Sequence, residues 1–204
     1  MRIKAVIWDI GGVIARTEDK GPRNQLAADL GVSRDRLNDL VFGGMKGTQA
    51  QLGEISVEDL WAYVHHELKL LPDEFTDIRD RFFGGDIIDY QIIDYIQEIK
   101  PKYKTAILSN AWNDLREVLT NQWKIADAFD SITISGEEGV KKPNPAIYKI
   151  SLNKLGVAPA EAVFIDDFVE NIQSAANLGI HTIHFTSPEK ALTDLKNILA
   201  KERE

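Results

Sequence analysis

The chain has no cysteine. That excludes disulfides and thiolate metal sites, and the composition gives no argument for secretion. It has no basic excess either. Its 24 Lys and Arg face 32 Asp and Glu, a formal net charge of −8. No basic stripe stands out, which argues against nucleic acid as a partner, because that binding needs clustered cations to displace counterions. Apolar runs are no longer than a strand, so no membrane-spanning segment and no membrane partner are expected. The N-terminus runs almost directly into a predicted strand, without the regions of a signal peptide. Repeats and low-complexity tracts are missing as well. The expectation is a cytoplasmic protein of 204 residues, 44% hydrophobic, with one core domain and room for an insertion.

Five short apolar runs are present: Ile3–Asp9, Thr105–Ser109, Ser131–Ile134, Ala162–Asp166 and His181–Phe185. Helical patterns separate most of them. Such alternation predicts an α/β fold, a Rossmann-like parallel sheet of about five strands flanked by helices. Ligands of such folds collect at the carboxyl ends of the strands. Asn144-Pro145 and Ser187-Pro188 are good starts for two of the later helices.

The stretch between the first two runs is too long for a simple crossover and reads as helical. In SVEDLWAYVHHELKLL, Ser56 and Asp59 suit a capping pair, and Val57, Leu60, Trp61, Val64, Leu68 and Leu71 share one face. We read about four inserted helices. The division predicted is a core of residues 1–16 and 86–204 with a helical cap at 17–85, entered after Arg16 and left through Gly84-Gly85. Gly43 to Gly47 reads as a cap loop or a plain interhelical turn. A unit hinged above the sheet's carboxyl end can act as a lid.

Each predicted strand delivers polar groups to one rim. The first ends at Asp9, the second at Ser109 and Asn110. The third leads to Lys141 and Lys142, and the fourth ends at Asp166 and Asp167. Clustered carboxylates repel, by about 4 kcal/mol for two charges about 4 Å apart at an effective dielectric of about 20. A divalent cation relieves this. Asp9 and Asp167, with a backbone carbonyl from the Gly11 turn and waters, would form a hard oxygen cage suited to Mg²⁺. Asn171, one turn after Asp167, would orient a ligand or water. Lys142 and Ser109 offer a cation and a donor to an anion. An aspartate so placed can attack phosphorus. Taken singly, Asp9 could be a turn residue, Lys142 a solvated lysine, Ser109-Asn110 a cap, and Asp166-Asp167 a helix start. Trp112, at the rim, is a candidate for touching substrate, whereas His65-His66 reads as a surface pair and His181 and His184 as structural.

These motifs, VIWDIGGVI, ILSN, KKP and FIDDFVEN in that order, resemble the haloacid dehalogenase-like hydrolase superfamily. Within it, the GEIS segment, LSN, KP and the spaced DDxxxN are similar to the small sugar-phosphate phosphatases and to the phosphatase domain of soluble epoxide hydrolases. The resemblance implies a helical cap between the first two motifs. It also implies Mg²⁺ as cofactor and hydrolysis of a small phosphorylated metabolite through an aspartyl-phosphate on Asp9. By matching position, Gly11 gives its carbonyl to Mg²⁺ and Asp167 is a metal ligand. Ser109, Asn110 and Lys142 meet the substrate, and Asp166 and Asn171 stand behind the metal. One position departs from the pattern. Most family phosphatases carry a second Asp two residues after the nucleophile, as acid and base, and here that residue is Gly11. Glu18, Asp19 and Asn113 are substitutes only by nearness in sequence. The departure keeps two other readings open, a metal-independent 2-haloacid dehalogenase and a non-catalytic phosphate-binding protein.

Overall fold

The computed structural model describes residues 2–70 and 77–200. Leu71 of the proposed apolar face and the terminal KERE lie outside the described residues. Among these residues, a parallel sheet of five strands has the order β5-β4-β1-β6-β7. The strands are β1 (Ala5–Trp8), β4 (Lys104–Ser109), β5 (Ser131–Ile134), β6 (Ala162–Asp166) and β7 (His181–His184). All five runs expected from the sequence are therefore strands.

The burial of each strand explains its sequence. Every residue of β1 and β6 is buried, and β4 is buried beyond Lys104. Strands covered on both faces read as continuous apolar runs. Successive side chains point to opposite faces. Val6 and Trp8 join a cluster with Ile92, Ile96 and Leu195, from α6 (Tyr90–Ile99) and α11 (Pro188–Ala200). Ala5 and Ile7 join another with Tyr148, Leu152 and Ala175, from α9 (Pro145–Leu155) and α10 (Val169–Asn177). Helices thus cover both faces; two short ones, α7 (Leu115–Glu117) and α8 (Ser135–Glu138), lie before and after β5. α9 starts where the sequence placed it: the Asn144 side chain accepts from Ala146 N at 3.0 Å, with Pro145 in the first turn.

From β1 the chain moves to β4 and β5 on one side, then to β6 and β7 on the other. β1 and β6 are neighbours, paired in parallel from Ala5↔Ala162 to Trp8↔Ile165. The order reverses between them, and the carboxyl end of that junction is where a doubly wound sheet opens a crevice. Asp9 and Asp166-Asp167 stand on its two sides.

The long stretch after β1 forms a helical unit with its own core. Among the described residues it contains α1 (Gly21–Asp29), α2 (Arg34–Phe42), α3 (Gly44–Gln51), α4 (Val57–Glu67) and α5 (Ile78–Phe83), where the sequence reading expected about four. The extra helix is α3, which begins inside the glycine-rich stretch read as a loop or turn. Glycine is needed there for close approach: a Cβ on Gly47 would fall 2.6 Å from the Phe42 carbonyl carbon. α4 carries the expected capping box, with Asp59 N donating to the Ser56 hydroxyl at 3.0 Å. Leu26, Leu40, Leu60, Val64 and Phe82 fill this unit's core.

The two connectors to the helical unit pair with each other. β2 (Ala15–Thr17) and β3 (Asp86–Ile88) form an antiparallel ribbon, with Arg16 opposite Ile87. Thr17 Oγ1 donates to Asp86 Oδ1 at 2.5 Å, and Arg16 pairs with Asp89 at 2.8 Å. The sequence alone marks these segments as a domain boundary and shows no strand in them.

Candidate active site

Asp9 follows β1 directly, and its N–H continues the ladder by donating to the Ile165 carbonyl at 2.9 Å. Its side chain is pinned through one oxygen. Oδ1 accepts from Ile10 N at 2.7 Å and lies 2.9 Å from Lys142 Nζ. Oδ2 takes no part in these contacts.

Lys142 is buried, although lysine is almost never found so unless paired. Its ammonium donates to Asp166 Oδ2 at 2.7 Å and to the Leu108 carbonyl at 2.9 Å, and pairs with Asp9 Oδ1 at 2.9 Å. Asn110 fixes the backbone beneath it. Lys142 N donates to Asn110 Oδ1 at 2.8 Å, and Asn110 Nδ2 donates to the Lys142 carbonyl at 2.9 Å. Both polar groups of Asn110, which the sequence reading assigned to substrate, are thus engaged with Lys142.

Asp166 is fully buried and saturated. It accepts from Lys142, from Phe168 N at 2.8 Å and from Asn171 Nδ2 at 3.0 and 3.1 Å. Asn171, expected to orient a ligand or water, here aims Asp166 and is itself held by Tyr148, whose hydroxyl donates to the Asn171 carbonyl at 3.0 Å. Asp167 is different: its Oδ1 is buried without a hydrogen-bond partner among the described residues. Ser109 is buried at the end of β4, paired with Ile134.

Oxygens of Asp9, Asp166 and Asp167 lie within 4.8 Å of one another. Burial, then the charges of Asp166 and Asp167, push the Asp9 carboxyl up to about 7 against the pull of Lys142. Burial and Asp166 also raise Asp167. When ionised, the three carboxylates outweigh the single ammonium by two charges. A buried orphan oxygen in an all-oxygen donor set short of two positive charges fits a hard divalent cation. Gly12 makes room for the Asp167 carboxylate. At φ +80°, a Cβ there would fall 2.2 Å from Asp167 Oδ2.

Some contributors gave no readable signal in the sequence. Ser135, after β5, accepts from Ala111 N at 3.0 Å and holds the loop beyond Asn110. Trp112 lies in the core of the helical unit. It stacks on Phe42 at 5.9 Å and meets Trp61 and Phe83 edge-on. Glu18 pairs with Arg16 at 3.0 Å, and Asp19 accepts from Gly21 N at 2.7 Å, so both acids near motif one have structural partners.

The family model of the haloacid dehalogenase-like hydrolases matches residues 3–179. The chain belongs to this family. The family's sugar-phosphate and epoxide-hydrolase branches are among its relatives. It is 26% identical over 216 residues to bifunctional epoxide hydrolase 2 of Sus scrofa, covering 97% of this chain and 39% of that protein. It is 26% identical over 189 residues to D-ribitol-5-phosphate phosphatase of Bacteroides thetaiotaomicron, covering 88% of this chain and 90% of that one. The chain spans well under half the length of the mammalian relatives it matches. In fold it is similar to a HAD family enzyme of Bacteroides thetaiotaomicron solved with magnesium and inorganic phosphate, at TM-score 0.77 and 22% identity over 91% of this chain and 96% of that one. This member of the haloacid dehalogenase-like hydrolases has no helix, among the described residues, long and apolar enough to cross a membrane.

Proposed function

We propose that this hydrolase is a Mg²⁺-dependent phosphatase of small phosphomonoesters, sugar phosphates among them. The observation that carries the reading is the buried Asp167 Oδ1, without a hydrogen-bond partner among the described residues, beside Asp9 and Asp166. Asp9, the Gly11 carbonyl and Asp167 would hold Mg²⁺, which when bound neutralises the carboxylates and draws in an anionic phosphoryl group. Asp9 is the nucleophile. Lys142 and Ile10 N fix Oδ1, and Oδ2 is left to attack phosphorus. Ser109 contacts the phosphoryl oxygens, and the Lys142 charge favours the anion. Asp166 and Asn171 position Lys142, and Asn110 positions its backbone. Asn110 is therefore assigned to positioning and not to substrate. The helical unit at 17–85 is the cap that encloses the site, and the small phosphatase relatives support a phosphorylated metabolite as substrate.

Phosphate release from a panel of small phosphomonoesters, with Mg²⁺ and with chelator, tests this. Release should need Mg²⁺ and vanish in Asp9→Asn. Activity retained in that variant removes the aspartyl-phosphate mechanism. The absence of a carboxyl at Gly11 favours a second reading, a dehalogenase that uses the same aspartate. Halide release from a 2-haloacid in the presence of chelator would establish it.

A further inference from the structure

Gly11 and Gly12 follow Asp9, and the backbone treats them differently. Gly12 must be glycine, for its positive φ and for the Asp167 carboxylate against it. Gly11 is under neither demand. Its φ is not positive, and a Cβ added there would meet no atom within 4 Å. The room next to the attacking aspartate that a side chain of residue 11 would enter is open.

An ester leaving group needs a proton if its oxygen is strongly basic. Among the described residues the polar groups of the site are committed, Asp167 to the cation and Ser109 to the phosphoryl oxygens in the reading above. The charged groups acting on it are Lys142, Asp166 and Asp167. The Lys142 ammonium donates to Asp166 and to the Leu108 carbonyl and is ion-paired with Asp9. Asp166 is saturated by Lys142, Asn171 and Phe168 N. Tyr148 gives its hydroxyl proton to the Asn171 carbonyl. The His184 ring nitrogen lies 3.0 Å from the Asp167 carbonyl oxygen. Glu18 and Asp19 are tied to Arg16 and to Gly21 N.

We propose that the enzyme selects phosphates whose leaving oxygen departs as a stable anion. These are acyl, enol, aryl or anomeric sugar phosphates, in preference to phosphates of ordinary alcohols. The inference rests on the phosphatase reading above. In the first step an Asp9 Oδ2 lone pair forms the new bond to phosphorus. The bond from phosphorus to the ester oxygen breaks, the electron pair stays on that oxygen, and solvent supplies its proton. In the second step water adds to phosphorus, and the bond to Asp9 breaks to return the carboxylate. Inorganic phosphate leaves, and the proton lost by water passes to solvent. With no positioned acid among the described residues, the first step follows the basicity of the leaving oxygen.

The test is kcat/KM for the full chain with Mg²⁺, over aryl phosphates of graded phenol acidity and acetyl phosphate. To these are added one aldose phosphorylated at its anomeric carbon and the same aldose phosphorylated at its primary alcohol. The native protein should lose about 10²–10⁴-fold from para-nitrophenyl to primary alkyl phosphate. Gly11→Asp, which keeps the backbone carbonyl and fills the open space, should narrow that gap by about tenfold or more. A flat native series, with phosphate released from every ester, overturns the inference and leaves the phosphatase reading standing. A steep native series that a folded Gly11→Asp leaves unchanged traces the slope to binding and also overturns it. If no ester and no acyl phosphate is hydrolysed, and acid quenching traps no phosphate on Asp9, the phosphatase reading fails and takes this inference with it.

Discussion

Asn110 clamps the main chain of Lys142 from both sides, accepting from its N–H at 2.8 Å and donating to its carbonyl at 2.9 Å. The clamp joins the end of β4 to the loop that delivers the ammonium to Asp9. An intramolecular hydrogen bond contributes about 0.5–1.5 kcal/mol net, so Asn110→Ala should cost about 1–3 kcal/mol of stability. A comparable loss in aiming Lys142 should lower kcat about 10–100-fold, at about 1.4 kcal/mol per tenfold. If Asn110 bound substrate instead, the loss would fall on KM. Steady-state kinetics on Asn110→Ala and Asn110→Asp separate the two, because the aspartate keeps the acceptor for Lys142 N and should recover part of kcat.

The raised Asp9 carboxyl makes the metal-free protein pH-sensitive in a definite direction. Burial lifts its pKa from 3.8 unfolded to about 7 folded. The folded state therefore holds the proton more tightly. Asp9's contribution to stability is full below the unfolded value, falls as pH rises through this window, and is gone above the folded value. Asp9→Asn cannot titrate. Losing a Lys142 partner shifts its stability by a constant, but the pH-dependent penalty disappears. In chelator, the stability of Asp9→Asn relative to native should rise by about 2–4 kcal/mol between about pH 4 and pH 8. Thermal melts across that range measure it, and a difference independent of pH would falsify the shift. Mg²⁺ should narrow the gap at the alkaline end, because it binds the ionised form.

The two glycines after Asp9 should respond oppositely to alanine. Gly12→Ala drives a methyl into Asp167 and forces a left-handed backbone on a residue with a side chain. It should destabilise by about 1–3 kcal/mol and abolish the rise in Tm that Mg²⁺ gives the native protein. Gly11→Ala, with open space around its Cβ, should melt within about 1 kcal/mol of native and keep that rise. Equal damage from both would mean that the Asp167 carboxylate does not sit against Gly12.

What could be read from the sequence follows from burial. β1, β4 and β6 are covered on both faces, so each stands out as an apolar run, and the acids closing two of them, Asp9 and Asp166, are conspicuous. The caps at Ser56 and Asn144 are local, set by residues within one turn. The ribbon of β2 and β3 was not readable, because three-residue strands show no periodicity and their partners are distant in the chain. Asn110 and Asn171 read as ligand-facing because nothing local shows that Lys142's backbone and the Asp166 carboxylate would come alongside. α3 is hidden in the sequence by its glycines, of which Gly47 is required by a close backbone approach.

Trp112 illustrates the same limit and gives the last prediction. It follows β4, yet its ring is buried among Phe42, Trp61 and Phe83 of the helical unit, with the Arg79 guanidinium 5.8 Å from its centroid. Arg79 also pairs with Asp114 at 2.5 Å, Lys141 reaches Gln51 at 2.9 Å, and a Cβ on Gly53 would strike the Gly136 carbonyl at 2.1 Å. Trp112 is thus a peg from the sheet domain seated in the helical unit, and a contact with substrate is not its visible role. Truncating a buried Trp costs about 3–5 kcal/mol. If the peg docks the two units, Trp112→Ala should do more than lower Tm. It should expose sites within 17–85 to limited proteolysis while the sheet helices stay protected, and Trp112→Phe should restore most of that protection. Uniform susceptibility across the chain would show that Trp112 serves general stability and not docking.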